Sequence, residues 1–440
     1  LFHLLWPLIV EQLLAVTMGA VDTLMVSPVG EHAVSGVNVV DNINNFLIIG
    51  FIALCTGGAV VSSQYVGRGD HKNAAFASKQ LVYLVTVISV VICVFAVLFR
   101  SQVVTFFYGD LDDDVMGSAM TYFFIIALSY PMLGIYNACA ALFRSAGNSQ
   151  IPMQVSVVRN ILHIGGNFLF VHGLGMGVAG VALSALIVRT AAGLILLVML
   201  IRDKKIPVTL SGIFSTRFDL AMTKRILNMG VPAGLENSMF QFGRLLTQRI
   251  FPTFGTPVIA ANAVAGIINS FSFMIGNGYS VAILTVVGQC IGAGDYEAAK
   301  GNTKKLILLT WFTLALISGL TLIFRVPLIS LFNLSPEAIE TADHFIRIHG
   351  ISMILGWTIS FAFPAALRAA GDARYVMVVG TLSMWIVRVS FAYLLTFTFG
   401  LGPIGVWLAM GGDFMVRGLC FFLRWRGGRW QNIKVIDTKE

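Results

Sequence analysis

Apolar runs of about twenty residues, separated by short polar turns, recur twelve times along this chain of 440 residues. They fall at about 4–27, 36–61, 79–99, 119–142, 152–172, 178–201, 226–251, 258–283, 303–324, 343–367, 375–399 and 402–424. Each is long enough to cross a ~30 Å hydrocarbon core as a helix, so the pattern predicts an all-α integral membrane protein with twelve transmembrane helices. The turns are patterned too. Gln64-Tyr65-Val66-Gly67-Arg68-Gly69-Asp70 recurs about 225 positions later as Gln289-Cys290-Ile291-Gly292-Ala293-Gly294-Asp295. Leu142-Phe143-Arg144-Ser145-Ala146-Gly147-Asn148 recurs as Ala366-Leu367-Arg368-Ala369-Ala370-Gly371-Asp372. Pro7 with Pro232, Glu11 with Glu236, Phe99-Arg100 with Phe324-Arg325, and Gly180-Val181 with Gly405-Val406 keep the offset. Two similar halves are therefore fused head to tail. With an even number of spans each, both enter from the same side of the membrane, which makes the repeat parallel. The longest polar interruption divides the chain into an N-terminal six-helix lobe (1–201), a cytoplasmic linker (202–225) and a C-terminal six-helix lobe with a basic tail (226–440).

Charge adds an orientation. Loops on the N-terminal side hold Arg68, Lys72, Lys79, Arg144, Arg202, Lys204, Lys205, Arg217, Lys224, Arg225, Lys300, Lys304, Lys305, Arg368 and Arg374, and the tail adds Arg424, Arg426, Arg429, Lys434 and Lys439. Opposite loops offer Arg100, Arg249 and Arg325. Basic loops stay in the cytoplasm, so both termini are expected there, in the plasma (inner) membrane. The net charge of +8 then reflects contact with anionic lipid headgroups. No basic stretch interleaved with aromatics suggests a nucleic-acid partner. The five cysteines, Cys55, Cys93, Cys139, Cys290 and Cys420, sit in apolar spans without ligand spacing and are expected to be packing residues. The acidic turns, Asp110, Asp112, Asp113 and Asp114 in one half and Glu337, Glu340 and Asp343 in the other, read as solvated helix starts. No cleavable signal precedes the first span, and the lack of an initiator Met suggests missing leading residues. The Gly-rich turns follow membrane helices rather than strands, so they are sharp turns and not nucleotide cradles. No nucleophile, metal or nucleotide motif points to an enzyme.

Ionisable groups at bilayer depth cost at least ~2.5–3.5 kcal/mol, which makes each one a functional candidate unless it is paired. The acidic set is Glu11, Asp22, Asp41, Glu236 and Asp413; the basic set is Arg159, Arg189, Arg244, Arg388 and Arg417, with Arg347 nearer the outer surface. Asp413 and Arg417 are spaced as a helical i,i+4 pair. Asp22 stands apart because its repeat partner is Thr247. At 1.5 Å per residue it lies about 27 Å up the first helix, while His163 and Asn167 lie roughly 16 and 22 Å up the fifth. His163 and Asn167 share a helix face, with Asn160 one turn below. A carboxylate meeting an imidazole and an amide suits a proton or sodium site, since burial raises a carboxylate's pKa and a nearby cation lowers it. The same trio would also serve as a hydrogen-bonded pin between the two helices. In the seventh span, Glu236 and Arg244 are two turns apart and suit one cavity as substrate or gate contacts, with Gln241 between them. Asp41, with Asn42, Asn44 and Asn45, makes the second span polar enough to line water.

The segment Gly19-Ala20-Val21-Asp22-Thr23-Leu24-Met25, the loop Gln64 to Asp70, the segment Leu142 to Met153 and Gly177-Val178-Ala179-Gly180 resemble the multidrug and toxic compound extrusion (MATE) family, bacterial type. The likeness runs nearly end to end. It implies two six-helix lobes around a central cavity, exporting cationic and aromatic compounds in exchange for H⁺ or Na⁺ by alternating access. It places the coupling role of the family's helix-1 aspartate on Asp22 and the family's helix-5 polar pair on His163 and Asn167. If sodium is the coupling ion, Asp22 and Asn167 are its expected ligands; no other cofactor is implied. Two positions depart from the family pattern. His163 stands where relatives carry Asn, which tilts coupling toward protons. Phe240 and about Trp357 stand where the sodium-coupled branch carries carboxylates, which leaves coupling to the N-terminal lobe. A monomer handling small-molecule substrates among membrane lipids is expected. The rival reading is a lipid-linked oligosaccharide flippase of the same superfamily, suggested by Arg159, Arg189, Arg244 and Arg388; a major-facilitator carrier fits the loop sequence Gly69-Asp70-His71-Lys72 poorly.

Overall fold

The computed structural model describes residues 2–109 and 111–436, and among them the chain folds into helices without a strand. Asp110 and Lys439 lie outside the described residues. The helices α1 (Phe2–Val26), α2 (Glu31–Gly67), α3 (His71–Leu98), α4 (Asp113–Ala127 and Tyr130–Ser145, bent by 50°), α5 (Gln150–Asn167) and α6 (Gly177–Arg202) make the first half. The second half holds α7 (Leu220–Gln248), α8 (Thr256–Gly292), α9 (Tyr296–Ile323), α10 (Pro336–Ala369), α11 (Ala373–Thr398) and α12 (Ile404–Arg426). Short helices Arg100–Tyr108 and Arg325–Ser330 follow α3 and α9 at equivalent places. This is the twelve-helix, two-repeat architecture that the apolar runs predict.

Contacts divide the chain into two compact units, Leu1–Gly230 and Val231–Glu440. In the first, α1 packs on α5, α5 on α6, and α4 on α2, α3 and α6; in the second, α8 packs on α9 and α10, and α12 on α10 and α11. The polar stretch after α6 belongs to the first unit and is fastened to α3. The Tyr83 hydroxyl reaches the carbonyls of Ile213 and Thr216, while Gln80 donates to the Arg217 carbonyl at 2.8 Å and accepts from the Asp219 amide at 2.9 Å. Val208, Leu210 and Ile213 bury their side chains beneath it.

The duplicated loop sequence has a local cause. Gly69 (φ 76°) and Gly294 (φ 78°) take the left-handed conformation that ends α2 and α8 in a sharp turn. The next residue, Asp70 or Asp295, accepts the amide of Asn73 at 3.1 Å or Ala298 at 2.8 Å and so caps α3 or α9. On α3 the side chains of Val87, Val91, Val94 and Leu98 are exposed, as are Phe312, Leu316, Leu320 and Ile323 on α9. These three- and four-residue spacings give each helix one bare apolar face, suited to lipid tails rather than water.

Candidate functional site

The first unit brings Asp22 of α1 against the polar face of α5. Its Oδ1 accepts a hydrogen bond from Asn167 Nδ2 at 2.8 Å and lies 3.1 Å from His163 Nε2. All three side chains are buried: Asp22 is 6% exposed, His163 1% and Asn167 0%. Among the described residues, Asp22 has no arginine partner and Asn167 Oδ1 has no hydrogen-bond partner. Immediately after Asn167, α5 opens into wider π-helical turns, Phe168–Gly173, a distortion that often accompanies functional positions. Asn160 sits one turn below, its Nδ2 turned to the Ser156 carbonyl at 2.8 Å. Together with His163, Leu14 and Val21 it lines a cavity of about 160 Å³ between α1 and α5. The depths estimated from helix rise thus correspond to real contact for Asp22, His163 and Asn167, whereas Asn160 reaches the cavity without touching the carboxylate.

Asp41 occupies a separate network on α2 and α4. The Tyr122 hydroxyl donates to its Oδ1 at 3.1 Å and Asn44 Nδ2 does so at 3.3 Å, while Tyr130 donates to Asn44 Oδ1 at 2.5 Å. Arg189 of α6 donates to the Ser129 hydroxyl at 3.1 Å. Asp41 and Arg189 stand close enough to Asp22 to act on it through space, so they shape its field without sharing its hydrogen bonds. The tyrosines and Ser129 carry no sequence signal, because a hydroxyl in an apolar span is common and only its neighbours give it meaning.

The duplicated glutamates each form an ion pair with a duplicated arginine, and for Glu236 this is not the expected partner. Glu236 pairs with Arg368 at 2.6 Å instead of balancing Arg244, and Glu11 pairs with Arg144 at 2.5 Å in the equivalent place. The signal for these bridges lay in the repeat itself, since the glutamate and the arginine are each duplicated. Arg244 lines a cavity of about 350 Å³ in the second unit, which neither Glu236 nor the half-buried Gln241 reaches. The i,i+4 pair is present: Arg417 Nη2 lies 3.4 Å from Asp413 Oδ2, and Arg388 Nη1 lies 3.9 Å from the same oxygen. Arg159 is spent differently, its guanidinium lying 4.8 Å over the Tyr136 ring.

Phe240 and Trp357, which depart from the family pattern, belong to an aromatic cluster. Phe240 meets Phe361 edge-on at 5.9 Å, and the fully buried Trp357 stacks on Phe361 at 5.2 Å. Gly276 makes room for the indole: a Cβ there would fall 2.1 Å from Trp357 Cη2. Gly276→Ala is therefore expected to destabilise the folded protein by about 1–3 kcal/mol, the usual cost of overpacking. Thermal unfolding in detergent should show that loss, and Trp357→Phe on top of it should return part of the stability if the indole is the obstacle.

The MatE family model matches residues 7–169 and 232–394 of the chain, once in each half. An uncharacterized transporter of Bacillus subtilis (strain 168), YisQ, is 29% identical over 98% of this chain and 94% of its own length. The probable multidrug resistance protein NorM of Thermotoga maritima is 26% identical over 100% of this chain and 94% of its own length. Among solved structures, a MATE protein crystallised in the bent conformation superposes with a TM-score of 0.91 at 18% identity, covering 98% of this chain and 95% of that one.

Proposed function

We propose, starting from the fact that this chain belongs to the MatE family of multi-pass membrane transporters, that it exports small organic compounds in exchange for protons through Asp22. The observation that carries this reading is the contact of Asp22 with both His163 at 3.1 Å and Asn167 at 2.8 Å. In the charged state the carboxylate oxygen accepts from Asn167 Nδ2 and lies within ion-pairing distance of His163 Nε2, and so holds α1 to α5. Protonation removes the charge on which those contacts depend, so the same event loosens the helix contact and repacks α1. Charge-assisted hydrogen bonds are roughly twice as strong as neutral ones, which gives the proton a differential effect on two packings. A small cavity lies beside His163 and Asn160 in the same unit.

A second reading is favoured by Asn167 Oδ1, which lacks a hydrogen-bond partner among the described residues. A sodium ion bridging that oxygen and the Asp22 carboxylate would satisfy it. His163 argues against this, because a hard cation prefers oxygen ligands to an imidazole nitrogen. Proteoliposomes carrying a fluorescent cationic dye separate the two readings. A pH gradient is expected to drive dye movement and a sodium gradient alone is not; the reverse result would assign the seat to sodium. His163→Asn should lower proton-driven transport at least about fivefold, the lower end of ordinary coupling energies.

The lysine and arginine bias supports an inner-membrane protein with both termini in the cytoplasm. The Asp22 seat is complete within one unit of one chain, which supports a working monomer. Alternating access of the substrate path supplies the remaining step, with each ligand binding one conformation better than the other.

A further inference from the structure

We infer that the second unit holds a binding site for an aromatic organic anion, a carboxylate or sulfonate, in the cavity lined by Arg244, Thr247, Asn269, His349, Arg388 and Trp407. The inference stands on that cavity alone and does not depend on which ion loads Asp22.

The repeat shows what the cavity is. Buried positions Pro152, Ser156, Asn160, His163, Asn167 and Val171 run down the inner face of α5 and its extension; α11 buries Ala373 and Ser383 and, at steps of four, the matching series Val376, Gly380, Met384, Arg388, Ala392 and Thr396. The two series keep one offset as far as Asn160 and Met384. From His163 and Arg388 onward the second series gains one residue, which the π-helical turns Ser383–Val389 absorb. Arg388 therefore takes the place of His163, and Thr247 the place of Asp22. Where the first unit sets a carboxylate against an imidazole, the second lines its cavity with a guanidinium and with a hydroxyl that donates to the Arg244 carbonyl at 2.9 Å. The fold has kept the position and inverted its charge.

The donors around this cavity lack acceptors. Among the described residues, Arg388 Nη1, Asn269 Nδ2 and Trp407 Nε1 are buried without a hydrogen-bond partner, as are both ring nitrogens of His349. A neutral imidazole carries one N–H whichever tautomer it adopts, so His349 adds a further donor. Arg244 is exposed and has no ion-pair partner among the described residues. No carboxylate lines the cavity. The nearby Asp413 is fully buried, accepting from Ser383 at 2.6 Å and meeting Arg417 at 3.4 Å, so it only partly offsets Arg388. Buried donors without acceptors are what an anionic oxygen satisfies, and a guanidinium suits a carboxylate or sulfonate.

The walls select an aromatic body. Phe240, Phe251, Phe273, Trp407 and Met410 line the same space. Phe273 stacks on His349 at 5.8 Å, and Trp407 meets His349 edge-on at 5.6 Å. A volume of about 350 Å³ lies at the small end of ligand pockets, which favours one or two fused rings. Such a ligand differs in sign from the cationic compounds that the family resemblance implies, so the site would widen the range of this chain or hold an anion alongside its cargo.

The test is equilibrium binding by calorimetry, with the full chain in lipid nanodiscs and no ion gradient. 2-Naphthoate and the size-matched cation 2-naphthylmethylammonium are the probes. Naphthoate is expected to bind at least tenfold more tightly than the ammonium. Arg388→Gln should weaken naphthoate at least tenfold. Because Arg388 also approaches Asp413, Arg244→Gln, at an exposed position, provides the second variant and should weaken naphthoate severalfold in a protein that folds. Equal or tighter binding of the cation, no saturable naphthoate binding, or naphthoate affinity unchanged in Arg244→Gln would overturn the inference.

Discussion

Asp22→Asn will uncouple efflux from the driving ion while leaving the protein folded. Asparagine keeps the shape of the side chain and an Oδ1 that can still accept from Asn167 Nδ2, which lies 2.8 Å from the native oxygen. What it removes is the change of charge on taking up a proton. Both packings of α1 against α5 then see the same neutral group, and the gradient no longer favours one over the other. Coupling free energies of 1–3 kcal/mol correspond to about 5–150-fold. Gradient-driven export should fall by a factor in that range, and its dependence on external pH should flatten. The unfolding temperature in detergent should move little, because the hydrogen bond from Asn167 persists. Proteoliposome transport measured across external pH tests this directly. Undiminished, pH-dependent export by the variant would leave Asp22 as a pin between helices and nothing more.

Much of this fold is legible in the residue pattern because a membrane leaves so few choices. Backbone groups in hydrocarbon must bond within their own helix, so runs of apolar residues translate almost directly into spans. The repeated Gly-x-Gly-Asp loops are legible for the same kind of reason: left-handed glycines Gly69 and Gly294 followed by caps Asp70 and Asp295 are a local device needing no tertiary context. The triad of Asp22, His163 and Asn167 is legible at one remove, through depth along two helices that run the same way. Glu236 shows where that reasoning stops. Spacing along α7 offered it Arg244, but its bridge goes to Arg368 on α10, from 132 residues further on. Helical spacing reports which residues share a face and is silent about which neighbouring helix that face meets. The correspondence of His163 with Arg388 was hidden for another reason. One extra residue absorbed in a π-helical turn shifts the register without disturbing the hydrophobic pattern, so only the run of buried positions reveals it.

Asp413→Ala should cost more stability than any other single change considered for this chain, about 3–5 kcal/mol. Asp413 is 0% exposed, and two guanidinium groups depend on it: Arg417 at 3.4 Å and Arg388 at 3.9 Å. Arg417 has some other support, donating to the Ser360 hydroxyl at 2.9 Å and lying 4.3 Å over the Phe361 ring. Those contacts are neutral. Without the carboxylate, the second unit would hold two buried cations with no counter-ion in its core, and breaking a buried pair from one side leaves the full cost of the stranded charge. The double variant Asp413→Ala with Arg417→Met separates that cost from simple loss of packing. It removes one stranded cation while keeping an unbranched side chain against Phe361, so it should recover a large part of the lost stability. Thermal unfolding of the three proteins in one detergent measures both steps. A loss below about 1 kcal/mol for Asp413→Ala, or no recovery in the double variant, would mean that water or lipid headgroups reach these arginines and that the second unit is wetter than its burial suggests.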